Sequence, residues 1–272
     1  MTSSSKEEAL WEAATQGDLA LVKQLAMEDS EVDVNWTDPE WERTPFYRAC
    51  YFGRTSVVEW MMRVPRVDVG KIQKQGCSPF FIACQEGHQD LVLMLLADPR
   101  TDVGWPMDGG ESPFFIACQE GRADVVALLL LDPRIDVNTT RKDNSSPLWF
   151  AAQNGQLEVA RFLLASDRTV DTAIKSSFNG KTAAEHGRQQ PLIPKGAKEN
   201  DAKYQRRRAN APLIADLIDE YEKSPITTRR NLRKRPGIRG PWPLSKTSFS
   251  SQKAHATLSL FPVFCVDPPP LH

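Results

Sequence analysis

Ten residues of this chain occur twice. Ser78 to Gly87 reads SPFFIACQEG, and Ser112 to Gly121 reads the same ten letters 34 residues later. Related copies lie one period to either side, at Thr44 to Gly53 (TPFYRACYFG) and at Ser146 to Gly155 (SPLWFAAQNG). A fixed period of this size marks a solenoid, in which each unit buries its apolar face only against its neighbours. The question of function therefore moves from a single cleft to the surfaces of a stack.

Each copy carries the same punctuation. Thr44, Ser78, Ser112 and Ser146 are placed to cap a helix, their hydroxyls accepting from free backbone N–H groups. Pro45, Pro79, Pro113 and Pro147 follow, at the first helical position, where proline removes an N–H that has no intrahelical partner. The helix is predicted to end at Gly53, Gly87, Gly121 or Gly155, because glycine tolerates the left-handed turn. A second helix follows, apolar on one face, as in Leu91-Val92-Met94-Leu95 and Val125-Val126-Leu128-Leu129. Pro65, Pro99 and Pro133 stop it, and Asp68-Val69-Gly70, Asp102-Val103-Gly104 and Asp136-Val137-Asn138 read as extended chain. Each unit is thus helix, turn, helix and a hairpin-like finger.

At these residues the chain resembles the ankyrin repeat family, whose unit opens T-P-L-H-x-A and ends in a D-V-N finger. Thr44-Pro45-Phe46-Tyr47-Arg48-Ala49 and its three successors carry that pattern. An earlier unit, without the Thr-Pro start, lies in Leu10 to Asp18, Leu19 to Leu25 and Asp33-Val34-Asn35. A degenerate last unit begins at Gly180-Lys181-Thr182, with its second helix displaced to Pro212–Tyr221. The resemblance implies an all-α ankyrin-repeat solenoid of helix-turn-helix-finger units over residues 6–223. A basic, proline-containing tail, expected to be disordered, occupies residues 224–272. One departure is systematic. The family's fourth-position His is Tyr47, Phe81, Phe115 or Trp149 here, and these rings are expected in a drier core.

Charge is divided along the chain. Residues 1–190 hold 19 Lys/Arg and 28 Asp/Glu, whereas residues 191–272 hold 15 and 7. An acidic stack therefore precedes a basic tail. Pro191 to Asn210 reads as a solvated loop. Arg229-Arg230-Asn231-Leu232-Arg233-Lys234-Arg235 has the composition of a nuclear import signal or nucleic-acid contact, and equally of a solvated tail. Leu258 to Val266 is an apolar stretch that would suit docking on a partner or on the stack. Met1 to Glu12 lacks the apolar segment of a signal peptide. No apolar run approaches the ~18 residues of a membrane span.

Of five cysteines, Cys50, Cys84 and Cys118 recur at the repeat period. Stacked helices lie about 8–10 Å apart, beyond the ~7 Å Cα limit for an easy disulfide. These three are expected to be buried and free, while Cys77 and Cys265 have no obvious mate. The reading places the chain in a reducing compartment, cytoplasmic or nuclear.

Catalytic chemistry is not indicated. The four histidines and five cysteines show no zinc-site spacing. Gly180-Lys181-Thr182 resembles the end of a phosphate-binding loop, but position 175 is Lys where that loop requires Gly. No enzyme activity, catalytic residue, metal or cofactor is expected.

The resemblance implies binding through finger tips and inner-helix ends. In this chain those positions are Trp36, Trp41, Lys74, Gln75, Trp105, Asp108, Lys142 and Asp143 on fingers. On inner-helix ends they are Tyr51, Phe52, Gln85, Glu86, Gln119, Glu120, Gln153 and Asn154. Spacing puts them on one concave strip, with Trp36, Trp41, Tyr51, Phe52 and Trp105 gathered toward its N-terminal half. Aromatics of this kind concentrate binding energy at interfaces; packing of Trp36 and Trp105 under neighbouring fingers is the alternative. The function expected is a non-enzymatic protein–protein interaction module, monomeric, with a protein partner and neither nucleic acid nor membrane. The alternative is a nuclear or nucleic-acid-associated regulator using the basic tail together with the stack.

Overall fold

The computed structural model describes residues 3–28, 31–196 and 199–235. Helices come in pairs: α1 (Ser3–Gln16) with α2 (Leu19–Glu28), α3 (Pro45–Tyr51) with α4 (Thr55–Met62), and α5 (Pro79–Glu86) with α6 (Gln89–Ala97). The pairs continue as α7 (Pro113–Glu120) with α8 (Ala123–Leu129), and α9 (Pro147–Asn154) with α10 (Leu157–Ala165). The chain then forms α11 (Ala183–Gln189), a 3-10 turn over Gln190–Leu192, α12 (Asp201–Lys223) and α13 (Pro225–Arg233). No strand occurs among the described residues. Odd-numbered helices α1 to α11 pack side by side as an inner row, and α2, α4, α6, α8 and α10 form an outer row.

The predicted caps close every central inner helix. The hydroxyls of Thr44, Ser78, Ser112 and Ser146 accept from the N–H groups of Tyr47, Phe81, Phe115 and Trp149 at 3.0, 3.1, 3.1 and 3.2 Å. Thr182 makes a reciprocal capping box with Glu185, so Gly180-Lys181-Thr182 is the start of a repeat. Gly87 ends α5 with a φ of +84°, and a Cβ there would stand 2.8 Å from Cδ of Arg122 in the next repeat. Backbone sign and space both require glycine at that point.

That Arg122 belongs to the first of three periodic ties. The residue following each turn glycine reaches the last carbonyls of the preceding inner helix: Arg54 to Thr15, His88 to Tyr51, Arg122 to Gln85 and Gln156 to Gln119, at 2.7–3.2 Å. Outer-helix ends are tied likewise. Arg66 donates to Ala26 O, Arg100 to Met62 O at 2.7 Å and Arg134 to Leu96 O at 2.8 Å. Both sets place donors, mostly cationic, where unpaired carbonyls carry the negative end of the helix dipole. Asp98 and Asp132 hold Arg100 and Arg134 in place at 2.6 and 2.7 Å. The third tie is an asparagine clasp between fingers. Asn35 donates to Arg66 O at 2.7 Å and accepts from Asp68 N at 2.8 Å.

The core is a continuous aromatic and aliphatic seam. Phe46, Phe80, Phe81, Phe114 and Phe115 are fully buried, and Tyr47 and Trp149 nearly so. The expected replacement of a polar layer by rings holds, and the Trp149 indole N–H is buried without a partner. Cys50, Cys77, Cys84 and Cys118 are free and buried.

Two expectations are corrected at the C-terminal end. The stretch read as a solvated loop, 191–210, is largely helix: α12 begins at Asp201, its N-terminus capped by Asn200, which accepts from Lys203 N at 2.7 Å. Arg207, only 6% exposed, anchors this turn on Glu199 at 2.8 Å and on Gln190. Gly187 lets α12 approach, since a Cβ would lie 2.8 Å from Ala211 O. Pro212–Tyr221 is thus the second half of a 23-residue helix. Order also continues past 223. Pro225–Arg233 packs on α10 as the last member of the outer row, burying Thr228 and Leu232. Within the basic cluster, Arg233 Nε donates to Ala165 O at 2.9 Å and Arg229 to Arg168 O at 3.2 Å. The outer-helix tie is thereby completed from α13. Residues 236–272, with Cys265 and the apolar stretch 258–266, lie outside the described residues.

Candidate protein-binding surface

The fingers stand beside the inner helices and are linked edge to edge through their backbones. Trp41 O accepts from Lys74 N at 3.0 Å, Gln75 O from Asp108 N at 3.1 Å and Asp143 O from Ser177 N at 2.7 Å. These bonds fix the finger residues of the expected strip, leaving the side chains of Lys74, Gln75, Asp108 and Lys142 exposed.

At the N-terminal half the strip opens into a cavity of about 200 Å³. Trp41, Tyr51, Gln75 and Gln85, all expected there, line it together with Arg43, Tyr47, Gln73, Cys77 and Ile82. Trp41 and Tyr51 are each 37% exposed, so each ring packs on one side and faces solvent on the other. Burial pushes the Tyr47 phenol and the Cys77 thiol up, so both stay neutral in the cavity floor.

Next to this cavity Phe52 meets Tyr51 edge-to-face, with centroids 4.8 Å apart. Arg48 lies between rings, 4.4 Å from Trp11 and 4.6 Å from Phe52. Its Nε donates to Thr15 Oγ1 at 3.2 Å, and no carboxylate lies within ion-pair distance among the described residues. Burial, and then neighbouring Arg43, lower its pKa from the ordinary arginine value. Arg43 itself is held by Asp38 at 2.9 Å. Sequence reasoning missed Arg48 and Trp11. The available signal was the repeat itself, because Arg48 occupies the position of Ile82, Ile116 and Phe150.

The remaining expected residues divide. Glu86 approaches Arg122 at 4.0 Å, and Gln119 donates to Glu120 at 3.1 Å along the same face. Gln153 is half-buried and Asp143 accepts from Ser145 N at 3.0 Å. Asn154 is corrected: only 9% exposed, it turns inward and donates to Gln119 O at 3.1 Å, serving the stack. Trp105 is 44% exposed and lines a groove separate from the Trp41–Tyr51 cavity, with its indole N–H donating to Gly76 O at 3.1 Å. Trp36 is half-buried, at the equivalent finger position of its own repeat.

A family model described as ankyrin repeats (3 copies) matches residues 10–105 and 100–176. The chain belongs to the ankyrin repeat family. No curated protein matches it. Ankyrin repeats are in general protein–protein interaction modules, and this ankyrin stack carries Trp41, Tyr51, Phe52 and Trp105 exposed on the faces just described. Among the described residues no cluster of His, Cys, Asp or Glu could hold a metal ion, and no helix is long and apolar enough to cross a membrane.

Proposed function

We propose that this ankyrin stack is a non-enzymatic binding module that holds a segment of a partner protein against its concave face. Binding would centre on the Trp41–Tyr51 cavity and the Arg48 ring stack. One observation carries this reading: a half-buried guanidinium without a carboxylate partner sits between two rings, beside a cavity walled by half-exposed aromatics. Arginine and aromatics of this arrangement are the residues that dominate interface energies. The surface is held by three sets of inter-repeat ties, so little ordering entropy is lost on binding. Four buried free thiols support a reducing compartment, cytoplasm or nucleus. The alternative of a nucleic-acid-associated regulator has less support, because Arg229 and Arg233 are engaged with the stack.

The test is affinity capture with the full chain, beside Trp41→Ala, Tyr51→Ala and Phe52→Ala, with melts run in parallel. Each change is expected to weaken capture by about 2 kcal/mol and leave the melt nearly unchanged. Phe81→Ala, in the core, is the control that lowers the melt. Capture that survives all three surface changes refutes the reading.

A further inference from the structure

We propose that the groove between Gly70 and Arg100–Asp102 docks the carboxamide of an asparagine presented by an extended segment of a partner protein. The fingers meet at four successive places, and at the first and last an asparagine bridges them. Asn35 donates to Arg66 O at 2.7 Å and accepts from Asp68 N at 2.8 Å. Asn138 donates to Thr169 O at 2.8 Å and accepts from Asp171 N at 2.9 Å. The two central positions are Gly70 and Gly104. There the backbone presents the same pair of groups without a side chain to bridge them. Among the described residues Arg100 O and Asp102 N–H have no protein partner.

A groove of about 370 Å³ opens at Gly70. A Cβ on Gly70 would lie 3.9 Å from Arg100 O, so a side chain there starts beside that carbonyl. Val69, Ile72, Phe80 and Trp105 supply apolar walls. Ile72 and Trp105 are 41% and 44% exposed. Thr101 also lines the groove; it is 7% exposed, and its Oγ1 is buried without a hydrogen-bond partner.

The chemistry follows from this set. A carboxamide offers a donor to Arg100 O and an acceptor to Asp102 N–H in one plane, whereas a carboxylate has no donor for the carbonyl. The apolar walls on either side suit the residues flanking that asparagine in an extended segment, whose alternate side chains diverge. The groove shares no lining residue with the Trp41–Tyr51 cavity, so this inference does not depend on the concave-face reading.

The experiment titrates ¹⁵N-labelled full chain with the blocked peptide acetyl-Ala-Val-Asn-Val-Ala-amide, to several times a Kd of about 1 mM. Binding is expected to shift the Asp102 backbone amide and the Trp105 indole N–H. The same peptide with Leu in place of Asn should shift neither. Gly70→Asn puts the chain's own carboxamide in the groove, and this variant should remain folded and lose the response. No shift with the Asn peptide, equal shifts with the Leu peptide, or an undiminished response in Gly70→Asn each overturns the proposal. So do shifts confined to Tyr51 and Gln75, which would place the peptide on the concave face.

Discussion

Replacing Gly70 with Asn should make this protein more stable, although glycine-to-larger changes near a packed interface often do the reverse. Gly70 and Gly104 are absent from the positive-φ positions, so a side chain there meets no backbone strain. The space is free, since the nearest atoms to a Cβ on Gly70 are Asp68 Oδ1 at 3.6 Å and Arg100 O at 3.9 Å. The new carboxamide would bridge Arg100 O and Asp102 N–H as Asn35 bridges Arg66 O and Asp68 N–H. Each such hydrogen bond contributes about 1 kcal/mol net. Loss of unfolded-state freedom on replacing glycine adds about 0.4–1 kcal/mol, and ordering the Asn side chain takes back up to about 1 kcal/mol. The balance is a gain of about 1.4–3 kcal/mol. With a urea slope of about 2 kcal/mol/M, the unfolding midpoint should rise by roughly 0.7–1.5 M at unchanged slope. Gly104→Asn should act likewise on Arg134 O and Asp136 N–H, and Asn35→Gly should lower the midpoint by a similar amount. A midpoint for Gly70→Asn that stays or falls, at constant slope, refutes the view that carboxamide clasps bind the fingers together.

Native protein treated with iodoacetamide should label slowly at Cys50, Cys77, Cys84 and Cys118, because burial pushes all four thiols up and shields them. Peptide mapping before and after urea checks this, and prompt labelling of the folded chain contradicts it. His186 stacks on Trp149 at 4.1 Å, and burial, then Lys181 and Arg207, lower its pKa to about 4. It stays neutral in the fold while the unfolded chain takes up a proton near pH 6.5. Stability should therefore fall as pH drops from about 6.5 toward 4 and lose this slope in His186→Gln. The carboxylates of Asp38, Asp98 and Asp132 have lowered pKa values and act below that window. A chain ended at Lys223 should melt well below one ended at Arg235, and Leu232→Ala should cost about 2–5 kcal/mol, because Leu232 is 2% exposed. Equal melts would show that α13 contributes nothing to the stack.

Local signals were legible because their physics is local. The cap hydroxyls, prolines and turn glycines act within one helix end, and each was found where the repeat placed it. The arginine ties recur at a visible period, in Arg66, Arg100, Arg134 and Arg168, but their carbonyl targets lie one repeat earlier. Only stacking brings those atoms together. The start of α12 was hidden because its first buried side chain, Arg207, is charged and breaks the apolar periodicity. Similarly, α13 buries Thr228 and Leu232 and uses two arginines, a face that reads as a solvated basic run. Finger residues were assigned to one strip, yet neighbouring positions along a finger diverge. Gln73 and Gln75 turn to the Trp41 cavity, and Lys71 and Ile72 to the Trp105 groove.

A repeat stack carries its own reference state, and that gives departures from the pattern a physical meaning. Where Asn35 and Asn138 bridge adjacent fingers, Gly70 and Gly104 forgo two hydrogen bonds each, and the groove with its unpaired Thr101 hydroxyl opens at Gly70. Where Ile82 and Ile116 bury aliphatic surface, Arg48 places a cation between rings, with no carboxylate in ion-pair contact among the described residues. The two departures lie at successive repeat interfaces, Arg48 against Trp11 of the preceding unit and Gly70 against Arg100 of the following one. A partner that supplies the missing carboxamide at one, or a carboxylate at the other, would restore what the stack lacks. If both proposals hold, the two positions would direct recognition to the N-terminal half of the stack, through groups that other repeats of the chain provide for themselves.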